Sequence, residues 1–205
     1  MPLTGYNRLY RELQDIIIAV LALTFAFSIA SFSRAGFRLS AFEALYIVGI
    51  SLVAVCLAFL LHELAHRQVA RRYGGFAEFK IWPMGLIGGL LLSFLGFVMA
   101  APGAVYMSGI YGNDRVGKAA LAGPATNIVL GTIFLVAGII AIPSSAWGSI
   151  FGFLSQINFY LGAFNMVPFP PLDGQKVMAW DIRTFAMVFA TAIFLAVFSF
   201  VIFGA

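Results

Sequence analysis

The sequence predicts an all-α polytopic membrane protein with about five transmembrane helices and a re-entrant segment, which could be a β-hairpin, at 81–109. The hydrophobic fraction is 62% and the mean hydropathy is +1.00. Charged residues make up 10% of the chain, whereas a typical soluble domain has about 25%. Long apolar runs recur along the sequence and are separated by short loops. A chain with so little polar surface requires the bilayer as its solvent.

The basic residues fit a membrane protein better than a nucleic-acid-binding protein. The net charge of +4 would suggest nucleic acid in a soluble domain. Here the lysines and arginines lie beside apolar runs, where topology and lipid headgroups explain them. We therefore expect the lipid bilayer, and no nucleic acid, among the partners. The single cysteine, Cys56, excludes an internal disulfide and is expected to pack in the core.

The first two apolar runs predict two long helices. The first covers 16–32, and the second begins near Ala44 and continues to about Tyr73, where Gly74 and Gly75 end it. The N-terminal arginines followed by an apolar run also resemble a signal peptide. We expect an uncleaved first helix instead, because the rest of the chain is equally apolar.

The stretch 81–109 is apolar but is interrupted by glycine and proline. This composition suits a β-hairpin or a broken loop rather than a long helix. Non-helical backbone is not tolerated against lipid, so such a segment must be covered by protein or line a water-filled cavity. Further helices are predicted at 117–141, 148–166 and 184–203.

The distribution of basic residues favours re-entry over crossing. If 81–109 crosses as a helix, the chain has six spans and its lysines and arginines divide evenly between the two sides. If it enters and returns, five spans place every basic residue except Arg34 and Arg38 on the N-terminal side. The positive-inside rule therefore favours re-entry and a cytoplasmic N-terminus.

The segment HELAH at 62–66 contains both histidines of the chain. On a helix, His62 and His66 project from one face, where two imidazoles can hold one zinc ion. Glu63 follows the first ligand and can reach a metal-bound water as a general base. These groups end a strongly apolar run, where ionisable side chains are costly and tend to be functional. The alternative is a helix end whose polar groups simply face lipid headgroups.

Two histidines leave zinc in need of a third protein ligand. Asp173 stands out, because prolines rigidify the loop before it and Gly174 allows a sharp turn beside the carboxylate. Alone, a Pro-Leu-Asp-Gly loop is more often only a turn, but beside HELAH in a membrane chain it is favoured as the ligand. The candidates distant from the motif are Asp15, Glu43, Glu78, Asp114, Asp173, Asp181, Glu12 and Cys56.

The five-span topology also places Asp173 on the same side as the histidines. His62 lies about 27 Å along a helix that starts near Ala44, and so approaches its cytoplasmic end. The loop that carries Asp173 follows the 148–166 helix. Five spans put this loop on the cytoplasmic side, whereas six spans would put it on the opposite face.

Three motifs resemble those of the site-2 proteases, a family of intramembrane zinc metalloproteases. The resemblance implies that His62, His66 and Asp173 bind one Zn²⁺ ion and that Glu63 activates water. It also implies that Asn165 and Asn127 assist near the site, by holding the substrate's backbone or polarising its carbonyl; the alternative is interhelical hydrogen bonding. The motifs are HELAH, Asn165-x-x-Pro168-x-x-Pro171-Leu172-Asp173-Gly174 and Gly123-Pro124-Ala125-Thr126-Asn127.

The resemblance predicts a single integral-membrane domain over 1–205, with a core at about 44–180. The flanking helices 16–32 and 184–203 are plausible gates. Many relatives insert a soluble PDZ domain, for which this sequence has no room, so it resembles a compact member. Gln175 stands where relatives often have a second glycine.

The expected function is hydrolysis of peptide bonds in the transmembrane segments of single-span membrane proteins. The expected location is the cell membrane, with the active site nearer the cytoplasmic face. One alternative is a metal transporter, which also uses intramembrane His, Glu and Asp, but the sequence shows no repeats. Another is a catalytically silent relative that binds membrane helices, against which the intact Glu63 argues.

Overall fold

A computed structural model describes residues 5–98, 102–143 and 145–204 of the chain. The described residues are mostly helical and include one two-stranded sheet, so the predicted all-α polytopic fold class is confirmed. The elements in chain order are α1 (Gly5–Arg34), α2 (Ala41–Val55), a π-helical turn (Cys56–Leu60), α3 (Leu61–Arg72), β1 (Phe76–Ile81), α4 (Pro83–Ser93), β2 (Gly103–Ser108), α5 (Asn113–Ile140), α6 (Ala146–Asn165), α7 (Asp173–Trp180) and α8 (Ile182–Phe203).

Four helical segments of the described chain are long and apolar enough to cross a bilayer. They match the first, second, third and last of the predicted spans. The remaining predicted span, 148–166, is α6, whose 20 residues rise about 30 Å. Polar residues such as Gln156 and Asn158 interrupt the apolar sequence of α6. The four segments are Tyr10–Arg34, Ala41–Arg72, Asn113–Ile140 and Ile182–Phe203.

The stretch 81–109 does not cross as one helix. Its longest described helix, α4, has 11 residues and rises only about 16 Å, roughly half the hydrocarbon thickness. Strand β1 pairs with β2, and the pairing is antiparallel because Gly103 lies against Lys80 while Gly75 lies against Ser108. A helix inside the connection of a β-hairpin was not predicted. Re-entry into the bilayer remains a prediction.

One compact unit comprises the described residues of 1–56 and 78–106. In it, α1 packs against α2 and α4. The carboxylates of Glu12 and Asp15 on α1 accept hydrogen bonds from the backbone N–H groups of Phe79 and Ile81, at 3.1 and 3.3 Å. The N–H of Trp82 bonds to the carbonyl of Pro102, the residue before β2, so the alternate N–H groups at 79 and 81 point away from β2. Side chains of α1 therefore bind the outer edge of β1.

The second unit comprises 57–77 and the described residues of 107–205. Helix α5 is central and packs against α3, α6 and α7, while α8 packs against α6 and α7. Glycine permits close helix contacts: a methyl group at Gly131 would meet the ring of Phe159. The buried hydroxyl of Ser155 bonds to the Gly131 carbonyl and to the Ser199 hydroxyl, and so joins α6 to α5 and α8. All the residues of the candidate site lie in this unit.

Helix α3 ends where the glycine pair predicted it. Tyr73 is its C-cap, and Gly74 follows with a φ of 75°, a left-handed conformation that glycine adopts without strain. The N–H groups of Gly74 and Gly75 bond to the carbonyls of Arg71 and Ala70. These two hydrogen bonds satisfy carbonyl groups in the last turn of α3, the helix that carries both histidines.

Candidate metal centre

Both histidines project from one face of α3 into the interior of the second unit. His62 is 4% exposed and His66 is 1% exposed. Their positions four residues apart put them on successive turns of the helix. The two Nε2 atoms lie 2.9 Å apart. The helix thus brings two potential nitrogen ligands together, as the HELAH spacing predicted.

Asp173 reaches the same point from the first residue of α7. Its Oδ2 lies 3.3 Å from His62 Nε2 and 3.0 Å from His66 Nε2. The side chain is buried at 5% exposure. The sequence predicted that Gly174 allows a sharp turn. In the structure, glycine is needed here because a methyl group would meet the carbonyl oxygens of Met166 and Val167. Glycine allows the start of α7 to lie directly against the end of α6.

Hydrogen bonds to the other imidazole nitrogens define the tautomers. His66 Nδ1 lies 2.7 Å from the carbonyl oxygen of Ala119, which can only accept, so Nδ1 carries the proton. His62 Nδ1 lies 2.6 Å from Oδ1 of Asn127, and likewise donates. Both Nε2 atoms therefore present lone pairs toward Asp173 and toward each other.

Three electron-rich atoms that converge in a buried place repel one another unless a cation lies between them. Zinc with ligand bonds of about 2.0 Å in tetrahedral geometry separates neighbouring ligand atoms by about 3.3 Å. The observed separations are 2.9, 3.0 and 3.3 Å. Two imidazoles and one carboxylate also form a donor set that leaves zinc an open position. The residues fit a catalytic zinc ion.

Gly123 on α5 provides the space that such an ion requires. A methyl group at this position would meet the Nε2 atoms of both His62 and His66. Asn127 follows one turn later on the same face of α5 and holds His62. The Gly-Pro-x-x-Asn motif thus supplies both an opening beside the imidazoles and a partner for one of them.

Glu63 lies beside the first histidine with an unsatisfied carboxylate oxygen. Among the described side chains, its Oε2 is buried without a hydrogen-bond partner. A buried carboxylate oxygen without a partner is costly. Such an atom suits a site that binds water or a reacting group.

The histidines lower the pKa of Asp173. Burial alone would raise the pKa of this carboxyl, but a proton on Nε2 of either histidine, or a cation in its place, favours the carboxylate and places the pKa below its ordinary range. Lys176 Nζ also lies 3.5 Å from Oδ1, the other oxygen of this carboxylate. Asp173 is therefore negatively charged under ordinary conditions, the form in which a carboxylate can bind a metal ion.

The two asparagines that the resemblance placed near the site have different hydrogen-bond partners. Asn127 contacts His62 directly and is fully buried. Asn165 donates to the carbonyl of Leu161 in its own helix at 3.0 Å. The first is thus integrated with the metal centre, whereas the hydrogen bond of the second lies within α6.

The other candidate third ligands serve other parts of the fold. Glu43 forms a capping box with Ser40 at the start of α2. Asp114 pairs with Lys118, and Asp181 caps α8. Glu12 and Asp15 bond to β1, which contains Glu78, and Cys56 belongs to the π-helical turn. Within the described ranges, the group of three residues that could hold a metal is His62, His66 and Asp173.

Three contributors to the site were not predicted: Asn158, Lys176 and the carbonyl of Ala119. Asn158 accepts a hydrogen bond from Asn127, and a polar residue inside an apolar helix is a signal that could have found it. Lys176 lies one turn after Asp173, a spacing that can be read from the sequence. No sequence pattern marks a backbone carbonyl such as that of Ala119 as a partner of His66.

Sequence comparison finds relatives that are named, provisionally, as zinc metalloproteases. A Methanocaldococcus jannaschii protein of this name is 43% identical over 182 residues, which cover 87% of this chain and 88% of that protein. A Mycobacterium tuberculosis protein is 33% identical over 135 residues, 62% of this chain and 29% of the relative. A Bacillus subtilis protein is 28% identical over 145 residues, 62% of this chain and 66% of the relative. No family model matches the chain, and no solved structure matches it significantly.

We predict that Gly123→Ala abolishes zinc binding, because the added methyl group would occupy the space beside both Nε2 atoms. The measurement is zinc content of the purified protein by elemental analysis. Gly49→Ala is the matched control, since a methyl group there meets nothing within 4 Å. Stoichiometric zinc in Gly123→Ala would contradict the location of the metal.

Proposed function

Because the chain belongs to the site-2 protease family of zinc metalloproteases, we propose that it hydrolyses peptide bonds in transmembrane segments of membrane proteins. The observation that carries this proposal is the buried group of His62, His66 and Asp173, with the unsatisfied carboxylate oxygen of Glu63 on the same helix. These residues lie in a multi-pass membrane protein, whose described residues include four helical segments long and apolar enough to cross a bilayer. The substrates that would reach such a site are single-span membrane proteins.

His62, His66 and Asp173 would hold the zinc ion. When bound, zinc supplies a Lewis acid that activates water and polarises a carbonyl group. Glu63 accepts the proton of the attacking water and then delivers it to the nitrogen of the leaving amine. Since Oε2 has no hydrogen bond to the described protein groups, proton transfer there does not have to break one.

A transmembrane substrate must lose helical structure before it can be cut. The carbonyls of an α-helix are bonded to N–H groups four residues later, so the scissile carbonyl becomes accessible only when the segment extends locally. Extended peptides commonly bind by adding a strand to a sheet edge. We propose that substrate adds to the hairpin of β1 and β2.

The outer edge of β1 offers the groups that strand addition uses. The N–H groups of Phe79 and Ile81 already bond to carboxylate oxygens of Glu12 and Asp15. Carbonyl oxygens of an added strand would take the place of these carboxylates. The substrate would thus exchange side-chain acceptors for backbone acceptors at the same two donors.

We propose that the metal centre faces the cytoplasmic side of the cell membrane. The support is the excess of Lys and Arg on the N-terminal side under a five-span topology, with only Arg34 and Arg38 opposite. The loop of Asp173 then lies on the same side as the N-terminus.

We expect Glu63→Gln to retain zinc and to lose at least about a hundredfold in cleavage rate, because the amide cannot accept the proton. Zinc content and cleavage of single-span substrates in reconstituted vesicles are the two measurements. Glu43→Gln, at the capping box of α2, is the control and should retain both. A zinc-loaded wild type that cuts no member of a broad substrate panel would favour the catalytically silent relative.

Strand addition predicts disulfide cross-linking between substrate cysteines and cysteines in β1. Ala77→Cys and Lys80→Cys would be tested in a Cys56→Ser, Glu63→Gln background, which traps bound substrate. The control is Val201→Cys on the exposed face of α8. Cross-linking should form at both β1 positions and not at 201. Failure at both, with a substrate that the active protein cleaves, would refute this binding mode.

The topology predicts opposite labelling of two loops in intact cells. In a Cys56→Ser background, Arg38→Cys should react with a membrane-impermeant thiol reagent added outside. Phe169→Cys, in the exposed loop before Asp173, should react only after permeabilisation. The reverse pattern would place the metal centre on the opposite side.

A further inference from the structure

The geometry points to a two-step hydrogen-bond relay, Asn158 to Asn127 to His62, that fixes the metal-binding tautomer of His62. We propose that both asparagines are positioning residues: Asn127 orients the imidazole, and Asn158 orients the amide of Asn127. This inference rests on the proposed metal centre and gives Asn127 a role that does not involve contact with substrate.

The orientation of the Asn127 amide decides whether His62 can bind a metal. With Oδ1 toward His62, as observed at 2.6 Å, Nδ1 must carry the proton and the Nε2 lone pair is free. With the amide reversed, the NH₂ group would face Nδ1 and the proton would move to Nε2. That proton would then point at His66 Nε2 and Asp173 Oδ2, where the cation is expected to bind.

Two acceptors hold the Asn127 amide in the productive orientation. Its Nδ2 donates to the carbonyl of Ala58 at 2.9 Å and to Oδ1 of Asn158 at 3.2 Å. A backbone carbonyl can only accept, so a reversed amide would set two oxygens against each other at Ala58. Ala58 lies in the π-helical turn, where the altered bonding pattern accompanies a carbonyl that accepts this side chain.

The direction of the second step is fixed in the same manner. Asn158 Nδ2 donates to the carbonyl of Leu154 at 2.9 Å, so its Oδ1 must face Asn127. Each hydrogen bond in the series therefore has one possible donor. His62 donates to Asn127, Asn127 donates to Asn158, and Asn158 donates to the backbone carbonyl of Leu154 in α6.

Burial makes the relay costly to disturb. Asn127 and Asn158 are both 0% exposed, and a buried amide without partners is destabilising. Gly162 allows α6 to approach this part of α5, since its added methyl group would lie 3.2 Å from Cβ of Asn127. Two buried asparagines on facing helices are thus placed to act on one imidazole.

The chain is well suited to a direct test, because it contains only two histidines. Selective ¹⁵N labelling of histidine would show the nitrogens of His62 and His66 alone, and their NMR shifts report which ring nitrogen carries the proton. The metal-free protein would be measured at a pH where both imidazoles are neutral. His66 serves as an internal control, because its Nδ1 is held by the Ala119 carbonyl rather than by the relay.

We expect the wild type to show His62 protonated at Nδ1. Asn127→Leu should produce a mixture of His62 tautomers and leave His66 unchanged, and Asn158→Leu should do so to a smaller extent. Asn127→Asp should keep the Nδ1–H tautomer, because a carboxylate oxygen also accepts from imidazole, but it should lower the stability of the protein, because its second oxygen would face the carbonyl of Ala58. The zinc dissociation constant should rise about tenfold to a hundredfold in Asn127→Leu, the range for loss of such partners.

Asn165→Leu is the matched control for zinc affinity, since Asn165 is also on α6 but bonds only to Leu161 in the hydrogen bonds described. An unchanged His62 tautomer in Asn127→Leu would overturn the relay, and so would an equal change at both histidines. The tautomers are measured without metal. Failure of the wild type to bind zinc would therefore refute the metal centre, whereas the tautomer measurement would still test the relay.

Discussion

The convergence of two imidazole lone pairs and a carboxylate oxygen is the interaction on which the arrangement of the second unit depends. His62, His66 and Asp173 place these atoms within 3.3 Å of one another in a buried environment. Such a group is strongly repulsive by itself and becomes favourable when it shares a cation. The helices around it must therefore both hold the ligands and leave room for the ion.

Helix α5 meets both requirements with residues on one face. Gly123 leaves space beside the imidazoles, Asn127 holds His62, and the Ala119 carbonyl accepts from His66. These positions are four residues apart, which is close to one helical turn, so they lie on the same face of α5. Pro124 lacks a backbone N–H, so the carbonyl of Ala120, one turn earlier, receives no helical hydrogen bond from position 124. A sequence of glycine, proline and asparagine that would weaken an ordinary helix thus suits a helix that faces a metal.

Local sequence patterns predicted the features that depend on a single element. The HELAH spacing indicated two ligands on one helix face, and Gly74 marked the end of that helix. The proposed ligand from α7, Asp173, is 111 residues away from His62 in sequence, and only the context of its loop indicated it. Periodicity describes one element at a time, whereas contacts between distant elements depend on tertiary packing. The resemblance to known motifs therefore indicated this residue where periodicity could not.

The features that the sequence did not predict depend on which faces of distant helices meet. Asn158 and Asn165 lie seven residues apart on α6, yet only Asn158 bonds to Asn127. Nothing in the sequence of α6 alone distinguishes them. Likewise, the Gly/Pro pattern of 81–109 indicated broken structure, but not that the connection between two strands would contain the helix α4. Short apolar segments are compatible with helix and strand, and packing decides between them.

The metal centre itself is tested most directly by zinc K-edge X-ray absorption of the purified protein. We predict one zinc ion per chain with two imidazole nitrogens and oxygen ligands at about 2.0 Å. A sulfur ligand at about 2.3 Å would assign Cys56 to the site instead of Asp173. Either that result or a single imidazole in the coordination shell would contradict zinc binding by His62, His66 and Asp173.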